Sequence, residues 1–321
     1  MRVLHKSTPP LLFVPIETKV RELDGKLLFS LVAAERGYEV VLGSQEKLRE
    51  QLHRFRPGIY IDKSISVSKE QWFREVHGLR HRIAAWDEEG LVYFDAQTLK
   101  AMRLGSDSLQ QIDLFFAWGQ AQMDDIRSVL PGVVFPVVVT GNPRFDVLRP
   151  EYRPFYADAA ARLRERHGRI LLINTGFPFA NHYMDFQALK RAWTKYPVPS
   201  GFFESWARVQ GEAMASFLDL IPRLHCEFPE HTIVVRPHPS ENHETWRTKL
   251  KGFPRAIVTG EDAAVLWVFA ADLLIHFDCT TGIEAYLLGV PSIAYRNVQT
   301  PGYRQRLPNS LSYELQNRSE E

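Results

Sequence analysis

The chain has 321 residues, long enough for two domains of ordinary size, each with its own core. Lysine plus arginine number 39 and aspartate plus glutamate 38, so there is no net basic field to recruit nucleic acid. The 2 cysteines, Cys226 and Cys279, lie far apart, which excludes a disulfide framework and zinc spacing and fits a reducing cytoplasm.

The N-terminal stretch MRVLHKSTPPLLFVPIETK carries an apolar run too short for the core of a signal peptide, and no segment has the apolar length needed to cross a bilayer. Leu11 to Ile16 reads as the first strand. The charged segment Glu17 to Lys26 follows and is predicted to be a loop, with a helix from Leu27 to Arg36 closed by Gly37. Two readings of that segment stand side by side. One is a solvated turn and helix start. The other is an acceptor or charge clamp at the carboxyl edge of a sheet, made by Glu17, Lys19, Arg21 and Asp24, with Glu22 and Lys26 in the same loop.

Strands at Tyr38 to Leu42 and Ile59 to Ile61 alternate with helices from Glu46 towards Phe55 and around Lys69 to Gly78. Alternation at this pace predicts a parallel sheet with helices on both faces. An apolar strand then runs into Asp87-Glu88-Glu89-Gly90. Three adjacent carboxylates repel one another, and in a low-dielectric cleft one of them is raised towards a useful base. The alternative is an exposed acidic turn. Further strands are expected at Asp113 to Trp118 and Val133 to Val139, with a helix from Asp124 to Leu130 between them. The turn Thr140-Gly141-Asn142-Pro143-Arg144-Phe145-Asp146 closes a first domain, residues 1–150, and the proline-containing run from Arg149 to Phe155 is the linker.

The second domain, residues 151–321, opens with a helix from Ala157 to His167 and a strand from Arg169 to Ile173. Asn174 and Thr175 begin a loop of small polar groups at that strand's carboxyl end. The insertion from Ala180 to Gly201, rich in aromatic and basic residues, reads as a mobile lid, and Phe202 to Cys226 as a long helix. A short β-branched strand, Thr232 to Val235, stops at Arg236-Pro237-His238-Pro239, where two prolines force a turn and present Arg236 and His238 at the strand's end. A second apolar run, Leu273 to Phe277, leads into Asp278-Cys279-Thr280-Thr281-Gly282 and a helix from Ile283, with Ala285, Leu287 and Leu288 as packing positions and Gly289 and Pro291 as stop signals.

Strand, small-residue turn and helix form the build of an anion site, because the first helical N–H groups are free and the helix dipole adds to them. Thr280 and Thr281 add hydroxyl donors, Gly282 lets a phosphate approach the backbone, and Glu284 is placed to accept from ribose hydroxyls. Alone, such a turn is common in α/β folds. Arg236 and His238 at a neighbouring strand end make it the phosphate and ribose half of a nucleotide-sugar site.

Two Rossmann-like halves with the phosphate site in the second resemble a GT-B glycosyltransferase, two domains facing a cleft. The whole chain resembles the bacterial surface carbohydrate biosynthesis proteins, most tellingly in PIETKVRELDGK at 15 to 26, with DEEG, TGNPRFD, RPHPSEN and TTGIEAYLLGVP in support. Three pieces are further similar to bacterial sialyltransferases and Kdo transferases: Glu88-Glu89-Gly90, His238-Pro239 and Thr280-Thr281. In those enzymes the acidic pair supplies the base and the other two pieces bind the CMP phosphate. The hydroxyl pair here is Thr-Thr rather than Ser-Ser or Ser-Thr. Three acids leave the base open among Asp87, Glu88 and Glu89, with Glu88 favoured. Teichoic-acid transferases share a His-Pro and a Thr-Gly helix start, so the donor is not fixed.

The resemblance implies transfer of a sugar from a nucleotide-activated donor, with a cytidine-linked one such as a CMP-sugar favoured, to a glycan or lipid-linked glycan acceptor. This places the protein in the cytoplasm, peripherally at the inner face of the membrane. No Asp-x-Asp and no His/Cys ligand cluster occurs, so no metal and no cofactor are expected. Two alternatives remain: phosphoribosyl transfer from phosphoribosyl pyrophosphate on the same fold, and a non-catalytic nucleotide-sugar-binding subunit.

Overall fold

The computed structural model describes residues 8–88, 90, 93, 96–132, 136–194, 200–298 and 307–316. The chain divides into two compact units, Met1–Val147 and Leu148–Glu321. No described helix is long and apolar enough to cross a membrane.

The first unit holds β1 (Leu11–Ile16), β2 (Glu39–Ser44), β3 (Ile59–Asp62), β4 (Arg82–Trp86), β5 (Leu114–Ala117) and β6 (Val137–Val139). All pair in parallel, in the order β2-β1-β3-β4-β5-β6. Parallel neighbours need crossover connections. These contain α1 (Lys19–Glu35), α2 (Gln45–Gln51), α3 (Glu70–Gly78), α4 (Ala96–Arg103), α5 (Ser106–Leu109) and α6 (Gln120–Val129), and α7 (Pro143–Asp146) follows β6. Successive side chains of a strand leave opposite faces. Leu11 and Phe13 of β1 accordingly enter one core, with Tyr60, Phe73 and Phe115, while Leu12 and Val14 enter another, with Ala33, Ile61 and Trp86. Chain direction across the sheet reverses between β1 and β3, the topological switch point beyond whose carboxyl ends α/β sheets bind ligands.

One boundary differs from expectation in a way that matters. The segment read as a loop from Glu17 to Lys26 is the first half of α1, which starts at Lys19. The Glu22 carboxylate reaches back to the N–H groups of Glu17 and Thr18, each at 3.0 Å, and so satisfies donors that a helix start leaves unpaired. The buried stripe of α1 is Glu22, Gly25, Lys26, Ser30 and Ala33, correctly spaced for one helix face but polar at its start, so no apolar period marks it. The expected strand from Val133 is described only as β6, since 133–135 lie outside the described residues.

The second unit holds β7 (Arg169–Asn174), β8 (His231–Arg236), β9 (Ala256–Val258), β10 (Leu273–His276), β11 (Ser292–Arg296) and β12 (Tyr313–Gln316), again all parallel, in the order β12-β11-β10-β7-β8-β9. Its helices are α8 (Pro154–His167), α9 (Phe186–Trp193), α10 (Phe202–Glu227), α11 (His243–Leu250), α12 (Ala264–Ala270), α13 (Thr281–Leu288) and α14 (Leu307–Ser310). The core joins Ile173, Phe177, Phe217, Ile233, Val235, Trp246 and Ile275. Here the order reverses between β7 and β10, so Asn174 at the end of β7 and the turn after β10 flank the switch point. The insertion read as a lid contains α9, capped by the Asp185 carboxylate, and its residues 195–199 lie outside the described residues. Leu287, expected to pack, is exposed, whereas Ala285 and Leu288 are buried.

Candidate functional site

In the first unit the switch point gathers a buried charged cluster. Lys26 Nζ donates to the Pro15 carbonyl at the end of β1 (2.7 Å) and to Glu22 Oε2 (2.7 Å), and lies 3.4 Å from Glu88 Oε1. Three acceptors use the three ammonium protons, which is what a lysine only 3% exposed requires. Glu88 Oε1 also accepts from Trp86 Nε1 at 2.7 Å. The Glu88 N–H donates to the Lys63 carbonyl just beyond β3, and Lys63 pairs with Glu17. A small cavity is lined by Glu22, Gly25, Lys26, Trp86, Glu88, Asn142, Pro143 and Arg144. Three of the stretches that carry the family resemblance, PIETKVRELDGK, DEEG and TGNPRFD, therefore meet at one place. Gly25 makes this possible, because a Cβ there would lie 2.8 Å from the Arg144 backbone nitrogen.

Of the expected charge clamp, Glu17 and Lys19 are exposed and Arg21 and Asp24 are half-buried. The inward-facing members are Glu22 and Lys26, neither of which the clamp reading chose. An exposed acidic turn at 87–90 is ruled out for its first two acids, since Asp87 is 3% and Glu88 6% exposed. Asp87 braces the turn. Its carboxylate accepts from Arg103 at 3.2 Å, and its carbonyl accepts from Trp118 Nε1 and the Gly90 N–H. Glu88 is the acid that borders the cavity. Glu89 lies outside the described residues.

In the second unit one buried carboxylate ties two strand-end loops together. Glu241 Oε1 accepts from the Thr175 hydroxyl (2.6 Å) and the N–H groups of Phe177 and His238 (both 3.1 Å). Oε2 accepts from Trp246 Nε1 (2.9 Å) and Asn181 Nδ2 (3.4 Å). Thr175 is thus committed to the protein, and its loop is fixed to the RPHPSEN loop. His238 stays exposed. Its Nδ1 accepts from the Ser240 N–H at 3.2 Å and lies 2.7 Å from the Ser240 hydroxyl, which puts the proton of the neutral ring on Nε2. The sequence hints at Glu241 only through its place before Asn242, the cap of α11.

Arg236 has a different task from the one expected of it. Its guanidinium is buried, donates to the carbonyls of Glu261 and of Asp262 (2.9 Å), and lies over the Trp267 ring. Burial pulls it down to about 10, with Asp262 opposing. It clamps the loop after β9, where Asp262 adopts a positive φ of 59°.

The turn after β10 carries the remaining candidates. Asp278 takes a positive φ of 56°, and its carboxylate accepts from the Asn309 amide at 2.7 Å. The free helix start is narrower than expected, because the Gly282 and Ile283 N–H groups bond back to the carbonyls of Cys279 and Thr280. The amides of Thr280 and Thr281 find no acceptor among the described residues. Thr280 is half-buried, and buried Thr281 accepts from Asn174 Nδ2 at 2.9 Å, joining the two sides of the switch point. Gly282 is glycine for a packing reason rather than for phosphate approach: a Cβ would lie 2.7 Å from His276 Nε2 and 3.1 Å from the Pro308 carbonyl. His276, fully buried and lowered to about 4 by that burial, accepts from the Cys279 N–H at Nδ1 and meets the Ser312 hydroxyl at Nε2. Glu284 is buried one turn into α13. Among the described residues no group of three or more His, Cys, Asp or Glu side chains is arranged to hold a metal ion.

No family model matches the chain, and no curated protein does. Solved structures do. The UDP-GlcNAc 2-epimerase of Neisseria meningitidis bound to UDP-GlcNAc is similar over 88% of this chain and 82% of its own, with a TM-score of 0.57 and 11% identity. The UDP-GlcNAc 2-epimerase of Methanocaldococcus jannaschii in complex with UDP-GlcNAc and UDP gives 0.54 and 11%, over 90% and 84%. The wall teichoic acid polymerase TagF gives 0.57 and 10%, over 97% and 77%. At such identities the likeness establishes the fold: the chain is an α/β protein of two Rossmann-like units, GT-B-like in architecture.

Proposed function

We propose that the protein is a glycosyltransferase of bacterial surface-polysaccharide synthesis that uses a nucleotide-activated sugar. The reading rests on the open amides of Thr280 and Thr281 at the start of α13, set at the switch point of the second sheet beside loops that Glu241 holds rigid. A helix N-terminus with unbonded amides favours a phosphate, and His238 adds a donor from the neighbouring strand end. In this reading Thr280, Thr281 and His238 take the donor's phosphates and Glu284 its ribose. Asn174 and Thr175 shape the pocket, and Arg236 acts by holding the loop after β9. The first unit is the acceptor domain. Glu88 takes the acceptor's proton, and Asp87 braces the turn that holds it.

The sequence favours a cytidine-linked donor. The two UDP-GlcNAc 2-epimerases above hold UDP-GlcNAc, one of them with UDP as well, which supports a uridine-linked donor as the second reading and hexosamine epimerisation as the competing reaction. No metal enters either reading, since amides and His238 meet the phosphate charge. The working place is the cytoplasmic face of the membrane, with a glycan or lipid-linked glycan as acceptor.

Calorimetry with CMP, UDP, UDP-GlcNAc and phosphoribosyl pyrophosphate on wild type and His238→Ala tests the donor half. A nucleotide should bind wild type and lose roughly 1.5–3 kcal/mol in the variant. Binding of phosphoribosyl pyrophosphate alone, or equal affinity in both proteins, overturns it. With the donor so identified, Glu88→Gln should lower turnover by about 10²–10⁴ and leave donor affinity intact. Full donor binding with no turnover on any glycan would instead mark a non-catalytic subunit.

A further inference from the structure

The cluster in the first unit holds more than a candidate base. Its network is nearly closed. Glu22 spends both oxygens on helix-start N–H groups and Lys26, and Lys26 spends its three protons on Pro15, Glu22 and Glu88. Glu88 spends Oε1 on Trp86 and Lys26. Glu88 Oε2 makes no hydrogen bond among the described residues, and Glu88 lines the cavity. Asn142 lines the same cavity. It is 5% exposed, its Oδ1 caps α7 by accepting from the Arg144 N–H at 2.9 Å, and its buried Nδ2 has no partner among the described residues. Two residues that line one cavity thus hold one unspent acceptor and one unspent buried donor. Leaving the buried Asn142 amide without a partner costs free energy, and Glu88 Oε2 is an acceptor with room for a proton, so the pair suits a group that donates to one and accepts from the other. A hydroxyl does both.

We infer that the notch between Glu88 and Asn142 is a hydroxyl-binding site, with Asn142 Nδ2 donating to the hydroxyl oxygen and Glu88 Oε2 accepting its proton. The Glu22–Lys26 pair is a positioning device that fixes which Glu88 oxygen faces the notch. That the hydroxyl belongs to a sugar acceptor rests on the glycosyltransferase reading above. The hydrogen-bond complement does not. In that reading the contact selects an alcohol over an amine or a carboxylate, because an ammonium would face the Asn142 donor and a carboxylate would face Glu88.

The test uses saturation-transfer NMR on the full chain with methyl glycosides of glucose, galactose, mannose and N-acetylglucosamine at millimolar concentration. Asn142→Asp keeps the cap to Arg144 and turns the donor into a charged acceptor. Glu88→Gln keeps Oε1 for Trp86 and Lys26 and turns the unspent acceptor into a donor. Each single variant should lose roughly ten- to hundredfold in affinity for the glycoside that binds. The double variant restores one donor and one acceptor with their positions exchanged, and should regain most of that loss, which a purely structural role would not produce. The inference fails if no glycoside binds wild type, if Asn142→Asp binds like wild type so that the notch holds only water, or if the double variant is no better than the singles. Should Glu88→Gln not fold, Asn142→Asp against wild type still decides. Calorimetry with UDP and CMP on the same samples separates the two claims. Glycoside binding without nucleotide binding sinks the donor reading and leaves the notch, and the reverse sinks the notch alone.

Discussion

Glu241 offers the sharpest test of how the second unit is held together. Five donors converge on its two oxygens, and the residue is only 2% exposed. Glu241→Ala removes every acceptor at once and strands the Thr175 hydroxyl, two backbone N–H groups and the Trp246 indole in a largely buried site. Each buried donor left without an acceptor costs about 1–3 kcal/mol, so four stranded at once should cost about 3 kcal/mol or more. Glu241→Gln is gentler. With its oxygen in the Oε1 place it keeps three donors satisfied, and its amide nitrogen then opposes Trp246 Nε1 and Asn181 Nδ2, a mismatch worth about 1–3 kcal/mol. Urea unfolding followed by far-UV circular dichroism measures both, fitted with separate transitions for the two units because one two-state fit does not hold for such a chain. The first unit's transition should not move. Both variants should also weaken nucleotide binding, since the same carboxylate fixes the His238 backbone. An alanine variant within about 1 kcal/mol of wild type would show that the two loops hold themselves in place without it.

Other outcomes follow from the turn after β10. Burial lowers His276 from its ordinary 6.5 to about 4, so between those values the unfolded chain binds a proton that the folded chain does not. The folded value is depressed below the unfolded one, and His276 therefore supports the fold fully above about pH 6.5 and loses up to about 3 kcal/mol of that support as pH falls towards 4. Urea titrations at pH 7 and 4.5 should show a loss in wild type that His276→Asn flattens, and equal slopes in both proteins would refute it. Gly282→Ala should destabilise by about 1–3 kcal/mol through its collision with His276, read as a lowered melting temperature. In a double-mutant cycle with His276→Ala the His276 share of that cost should vanish and the contact with the Pro308 carbonyl should remain.

Much of the fold was legible because its strands are short apolar runs ended by glycine, proline or small polar residues. The β8 and β10 runs, and the stop at Gly289, stand within a residue or two of where the pattern puts them. α1 was harder. Its buried face begins with a glutamate and a lysine, and Gly25 suggests a break, although it is there to let the α7 backbone approach. The i,i+4 spacing of Glu22 and Lys26 was the available signal, and it was masked by four other charges in the same segment. The candidate anion turn was visible as a place, but the roles within it were not. Arg236, Thr175 and Gly282 all read as ligand-facing, and each is occupied by the protein itself. Sequence spacing shows which residue types stand at a strand's end. It does not show which of them the neighbouring loop has already claimed, and a carboxylate such as Glu241 makes its claims across 66 positions of chain.

The way Asp278 and His276 are held bears on how the protein is made. The partners that pin this turn come late in the chain: the Asn309 amide on Asp278, the Ser312 hydroxyl on His276, and the Pro308 carbonyl against Gly282. While a ribosome is still producing residues near 300, α13 and its two threonines have been made, but the contacts from Pro308, Asn309 and Ser312 have not. The nascent second unit should then pass through a stage in which β10 has its neighbours β7 and β11 while the turn after it lacks those late contacts. A shortened product ending before α14 would carry every threonine of the turn without the late contacts that brace it.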